Sequence, residues 1–366
     1  MIRPTLLASG AAALAVAALH SHGAQIAFSA ATVTYDQGAP YNIAASIDGS
    51  VTNGVGWGVF GGLNVAQTAY FQASAAFSAS EIGIALPQFL GTNHFAKDFR
   101  ISYTTDASPG AGSSWTAISP AVYRAANGGG LSLGADNHVL LSANPVSDST
   151  NFFVTASGAF SNVTGFRLEL FPVAGTLGAA ANGNLVITEF QVATDLSINR
   201  ATAAAVTASN APWFSSTGFL TDGNPNSLNH PNTGAQGGFA WTVDLGNVYN
   251  LSSLELLNRT DGCCPERLSN YRVEVLNDAQ SSVWTGNIRT DGSNSGPGGI
   301  DTVTQGMGAG TFSGRYLRIT NLSNGDYNPQ IAEVRAFGSL APVPEPAAAA
   351  LLAAGIGAGL RRRRIG

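Results

Sequence analysis

The chain is poor in charge, in sulfur and in histidine, and each shortage removes a class of protein. Asp, Glu, Lys and Arg make up 11% of its 366 residues and the formal net charge is −5, so no basic surface for nucleic acid can be assembled. Five histidines and two adjacent cysteines give no Cys/His spacing for a zinc site. Long helical periodicity is also missing, which removes the helical fold classes. What the chain does have is 44 glycines and short apolar runs between turn residues, the composition of a soluble, turn-rich, mostly β protein with room for two domains.

Period-two alternation marks the strands. Phe99-Arg-Ile-Ser-Tyr-Thr-Thr, Gly165-Phe-Arg-Leu-Glu-Leu-Phe and Leu185-Val-Ile-Thr-Glu-Phe-Gln-Val place apolar residues on one face of a pleated segment. A second segment repeats the layout. Ile47-Asp48-Gly49 corresponds to Thr221-Asp222-Gly223, Phe99 to Ser102 to Tyr271 to Glu274, Gly165 to Leu168 to Arg315 to Arg318, and Ile187 to Phe190 to Ile331 to Val334. Matches in one order predict an all-β tandem, with one sandwich over 25–195 and another over 196–338. In the first segment Trp57, Phe60, Tyr70 and Phe71 fall at strand-like intervals and are expected in the core. That segment is expected to act as a spacer or as a second, unrelated binding face.

The two ends differ from the body. Met1-Ile2-Arg3, the apolar run Thr5 to Leu19 and His22-Gly23-Ala24 read as a secretory signal peptide over 1–24. From 339 to 366, Val343-Pro344-Glu345-Pro346, the apolar run Ala347 to Leu360 and Arg361 to Arg364 resemble the PEP-CTERM sorting tail of exopolysaccharide-producing Gram-negative bacteria. Its 14 apolar residues fall short of the roughly 20 needed to span a bilayer. The resemblance therefore implies a short sorting helix, a transient membrane anchor and a sorting protease that removes it. The destination it implies is the cell surface or the extracellular matrix.

Asn258 to Val275 concentrates the polar chemistry. Arg259 and Arg267 offer rigid forks of donors, Asp261 and Glu266 offer acceptors that can hold them, and Cys263 and Cys264 are adjacent. Vicinal hydroxyls of a sugar suit the donors left over; a turn closed by surface ion pairs is the plainer alternative. The cysteines can be one strained disulfide or two free thiols. Arg259-x-Asp261, the paired cysteines and Glu266-Arg267-Leu268-Ser269-Asn270 followed by a strand resemble the fucose-binding loop of the F-type lectins, calcium-binding relatives of the discoidin-type galactose-binding jelly roll. That resemblance implies a disulfide between Cys263 and Cys264 that touches the sugar, and a sugar site completed by His230. It also implies a calcium site built from Asp222, Asn224 and Glu333, where oxygen ligands in a loop suit the ion. Trp241-Thr242-Val243-Asp244-Leu245-Gly246 is similar to a core strand of the same family.

These readings predict an exported, non-catalytic, carbohydrate-binding protein with two discoidin-like sandwiches and a glycan or exopolysaccharide as partner. Two other functions stay open at this stage. A matrix protein with no specific sugar site is consistent with the low charge. A glycoside hydrolase would need two carboxylates flanking a cleft, and Asp261 and Glu266 are the pair that could be named.

Overall fold

A computed structural model describes residues 25–51, 54–210, 216–231, 238–323 and 329–342. The leader and the tail from Val343, with its sorting helix, lie outside these residues. The described chain is all-β, with only short 3-10 turns between strands. In the first half the long strands Gln67–Gln88 and Thr150–Leu170 pair antiparallel from end to end, Gln67 opposite Leu170 and Gln88 opposite Thr150. Register shifts between Gln72 and Glu81 bend this pair at its middle, as bulges do. Phe28–Val33 and Gln191–Thr194 add to the first long strand, and Asp98–Thr104 adds to the second. Alternation sends Ala69 and Phe71 inward. Phe71 stacks on Phe190 at 4.0 Å. Trp57 is buried as expected, and Tyr70 is half-buried beside Trp115. Phe60 is not core: it is 50% exposed, in the turn after the short strand Trp57–Gly58.

The second half is organised around Ala240–Leu257. A register shift between Asp244 and Tyr249 divides this strand. Its first part pairs with Ser313–Asn321 and its second with Glu333–Leu340. Trp241, Val243 and Leu245 point into the core, while Asp244 stays outside and pairs with Arg315 at 2.8 Å.

The internal repeat is one of topology as well as of sequence. Asp98–Thr104 pairs with Thr150–Leu170, setting Ile101 opposite Leu168, and Tyr271–Leu276 pairs with Ser313–Asn321, setting Val275 opposite Leu317. At one end of each half, the glycine after an aspartate donates its backbone N–H to a late glutamate. Gly49 reaches Glu189 Oε1 at 3.2 Å, and Gly223 reaches the Glu333 carboxylate at 3.2 and 3.3 Å.

Glu189 is buried, its Oε2 has no hydrogen-bond partner among the described residues, and burial pushes its carboxyl from the ordinary 4.5 up to about 7, with the Asp48 charge adding to the effect. The folded chain thus binds this proton more tightly than the unfolded chain. Stability is fullest below the ordinary glutamate value and falls as the pH rises towards about 7. Glu189→Gln is expected to remove that fall and to raise the melting temperature at pH 8 by several degrees. Thermal melts between pH 4 and pH 8 check this, and an unchanged slope would remove Glu189 from the pH dependence.

The halves are joined by a buried arginine. Arg200 is 1% exposed and donates to both carboxylate oxygens of Glu81 in the first half, at 2.6 and 2.8 Å. Its Nε donates to the Gly338 carbonyl at 3.0 Å, and its guanidinium lies 5.1 Å from the centre of the Tyr249 ring. Arg124, from the first half, donates to the Arg200 and Leu245 carbonyls.

Candidate functional site

The loop that carries the arginines begins where Ala240–Leu257 ends. Asn258 fastens its base: its N–H donates to the Gly299 carbonyl and its Nδ2 to the Pro265 carbonyl, both at 2.9 Å. Its Oδ1 accepts the Arg259 N–H at 2.9 Å. Gly262 takes φ +78°, which a side chain would resist, and so returns the Cys263 N–H to Asp261 Oδ1 at 3.3 Å. Cys263 and Cys264 are disulfide-bonded. Pro265–Arg267 then makes a single 3-10 turn, a place where proline's missing N–H does no harm. Buried Leu268 anchors the loop before the strand Tyr271–Leu276.

Within this frame Arg259 is buried, and its guanidinium is clamped on two sides. Nε and Nη2 donate to the two oxygens of Asp261 at 2.7 and 2.5 Å, and Nη1 donates to Gln330 Oε1. The arginine in turn holds the exposed Asp261 carboxyl below its usual range. Glu266 does not share this work. It is exposed and pairs with neither arginine among the described residues; only its backbone carbonyl is used, by Ser269 Oγ at 2.7 Å. Gln330 takes the expected place of Glu266, and no local pattern in the sequence marks it.

His230 is buried beside these groups. Nδ1 lies 2.7 Å from the Pro231 carbonyl and so carries the proton, which leaves Nε2 as an acceptor 3.5 Å from Arg267 Nη1. Burial lowers the His230 pKa, and the charges of Arg267 and Arg259 lower it further. The ring is therefore neutral at physiological pH. Its position is fixed by Asn229, which donates to the Ser216 carbonyl and accepts from Trp241 Nε1 at 2.6 Å. Trp241, read from the sequence as core only, is also the anchor of the histidine. Arg267 is half-buried, and its Nε is buried without a hydrogen-bond partner among the described residues. His230, Arg259 and Arg267 thus meet, with the disulfide in the same loop. In the first half His94 is tied to Gly91 and Thr92, and His138 is tied to Asp98 and packed on Phe171. His94 is occupied in a local turn, and His138 by a contact between strands.

Asp222 and Glu333 form a second centre, 2% and 1% exposed. Asp222 Oδ1 accepts from Asn224 N–H and Ser227 Oγ, both at 2.9 Å. Burial pushes Asp222 up to about 7; Glu333 is raised well above its usual range by burial and then by the Asp222 charge. Neither makes a salt bridge among the described residues. The Asn224 side chain closes its own turn, its Oδ1 accepting the Asn226 N–H at 3.0 Å. Two buried, mutually repelling carboxylates beside a loop rich in oxygens suit a hard cation. Among the described residues no cluster of three His, Cys, Asp or Glu side chains is formed, so any ion here would also need hydroxyl, carbonyl or water oxygens.

The second half is an antiparallel β-sandwich that gathers this polar site at the end of its long strand. Residues 219–319 match the F5/F8 type C family model described as NedA-like, galactose-binding domain. No curated protein matches the chain. Among solved structures, the lectin domain of lectinolysin complexed with Lewis b antigen is 26% identical, covering 39% of this chain and 97% of that one, with a TM-score of 0.33. A fucose-binding module of Streptococcus pneumoniae is 23% identical over 39% of this chain and 96% of its own, TM-score 0.33. A fucolectin from striped bass (Morone saxatilis) serum is 14% identical, covering 86% of this chain and 97% of its own, TM-score 0.33.

Proposed function

We propose that the second sandwich binds carbohydrate, with a fucose-like terminal sugar held by His230, Arg259 and Arg267 and packed against the Cys263–Cys264 disulfide. The observation that carries this reading is the convergence of His230, Arg259 and Arg267 at the loop that holds the disulfide, with Arg267 Nη1 3.5 Å from His230 Nε2 and Arg259 clamped by Asp261. The pairing of Arg259 with Asp261 and Gln330 pre-orders that side chain, so little rotamer freedom remains to be lost on binding. The reading is non-catalytic: Asp261 is committed to Arg259, and Glu266 is exposed to solvent. Export, sorting through the tail by a protease and residence at the cell surface or matrix of a Gram-negative bacterium are part of the same proposal, on the sequence features at the two ends. A glycan array probed with the mature chain tests the function. Selective capture of fucose-terminated glycans is expected, and a blank array would favour a matrix protein without a sugar site.

Calcium at Asp222, Asn224 and Glu333 is proposed as a structural ion that holds the 222–228 loop. The fit rests on the buried carboxylate pair, whose mutual repulsion a divalent ion would cancel. A ligand at a hundred times its Kd stabilises the folded state by about 2.7 kcal/mol, so chelation should lower the melting temperature by several degrees. Glu333→Gln is expected to abolish this calcium effect and, in chelator at alkaline pH where both buried carboxyls must ionise, to melt higher than the wild type because one of the two like charges is gone. Identical wild-type melts with calcium and with chelator would remove the ion.

A further inference from the structure

A cavity of about 430 Å³ lies between the two halves of the molecule, bordered by Ser147 and Ser149 of the first sandwich and by Asn224, Asn226, Arg259 and Asp261 of the second. We infer that the first sandwich supplies one wall of an extended glycan site, in which a neutral oligosaccharide places the residue next to its terminal sugar in this cleft. The inference rests on the carbohydrate reading above and adds the ligand class. Arg259 connects the two places: its charge acts on His230, and with Asp261 it borders the cleft.

The wall is built rather than incidental. The buried Asn127 donates through Nδ2 to the Ser149 carbonyl at 2.8 Å and accepts the Val146 N–H through its carbonyl at 2.9 Å, while Ser149 N–H donates to Ser147 Oγ at 3.3 Å. Glycines let the halves close on each other. A Cβ on Gly218 would stand 2.6 Å from Asn127 Oδ1, and one on Gly223 2.7 Å from Asn151 Nδ2. With Arg200 bonded to Glu81 across the junction, the width of the cleft is set by the fold. On the opposite side Thr260 Oγ1 donates to the Pro225 carbonyl at 3.0 Å, which ties the arginine loop to the 222–228 loop.

The lining selects the ligand. Serine hydroxyls and asparagine amides both donate and accept, as sugar hydroxyls do, and Phe219 and Leu228 offer apolar surface to a pyranose face. Asp261 on the wall is paired with Arg259, so the two bring no net charge to the cleft, which suits a neutral glycan. The volume is at the lower end of the roughly 300–1,000 Å³ of ligand pockets, enough for one or two sugar residues and not for a long chain.

Calorimetric titration of the mature chain in calcium, with methyl α-L-fucoside and with neutral fucose-terminated tri- and tetrasaccharides, tests this. The wild type is expected to bind the best oligosaccharide about tenfold tighter than the fucoside, the gain of one or two further hydrogen bonds. Ser149→Trp should fill the cleft and erase that gain while the fucoside stays within about twofold. Asn226→Trp fills the same cleft from an exposed position on the opposite wall, which keeps the test open if the first variant fails to melt cooperatively. An oligosaccharide gain that survives both substitutions, or a wild type that binds the fucoside and gains nothing from further residues, would overturn the subsite and leave the sugar site standing. A wild type that binds neither ligand would overturn both.

Discussion

Replacement of Arg200 by alanine is expected to cost about 3 kcal/mol or more of stability, because removing one partner of a buried ion pair leaves the other charge uncompensated. Glu81 would lose both of its short contacts, and the Gly338 carbonyl would lose its donor. A loss of that size corresponds to roughly 10 °C in melting temperature for domains of this size. The wild type should melt in one transition, since the pair couples the halves, and the variant in two. Adding Glu81→Gln to Arg200→Ala should recover part of the loss, giving a double variant better than the sum of the singles. Differential scanning calorimetry decides the matter: a single transition within a degree of wild type in Arg200→Ala would remove this pair from the junction.

The second large effect concerns the glycan. Each hydrogen bond from a charged donor contributes about 1.5–3 kcal/mol, so Arg267→Ala should weaken binding tenfold or more. Arg267 is half-buried and makes no salt bridge among the described residues, so its removal should leave the melt close to wild type. Arg259→Ala should weaken binding at least as much, and it should also destabilise the fold. The sequence places Arg259 in a surface loop, where truncation would be harmless. In the folded chain it is buried, and its loss strands the buried Gln330 at a cost of about 1–3 kcal/mol. Arg259→Lys keeps the charge but not the two-pronged contact with Asp261, and it should stay impaired. Titration of the three variants beside their melts separates the roles. Binding that survives both alanine substitutions would remove the loop from the site.

Much of this protein is local and therefore legible. The strands declare themselves because a pleat repeats every two residues, so Trp241, Val243 and Leu245 read as core from their spacing alone. Arg259 and Asp261 are two residues apart and meet without help from the rest of the fold. The adjacency of Cys263 and Cys264 limits what they can do, and the order of the repeated motifs carries over to strand pairing in both halves. The tertiary structure alone decides which distant groups complete these local pieces. Gln330 reaches Arg259 across 71 positions, and Asn229 links Trp241 to the histidine loop. Glu266, beside Arg267 in the chain, turns to solvent because the 3-10 turn points it away. Phe60 leaves the core because its turn lies beyond the end of the strand. The first sandwich looks like a spacer in the sequence, since Glu81, Asn127 and Ser149 sit in unremarkable strands and turns. Their role comes from the docking of two sheets, and through-space contacts of that kind are set by register and packing, to which spacing along the chain gives no guide.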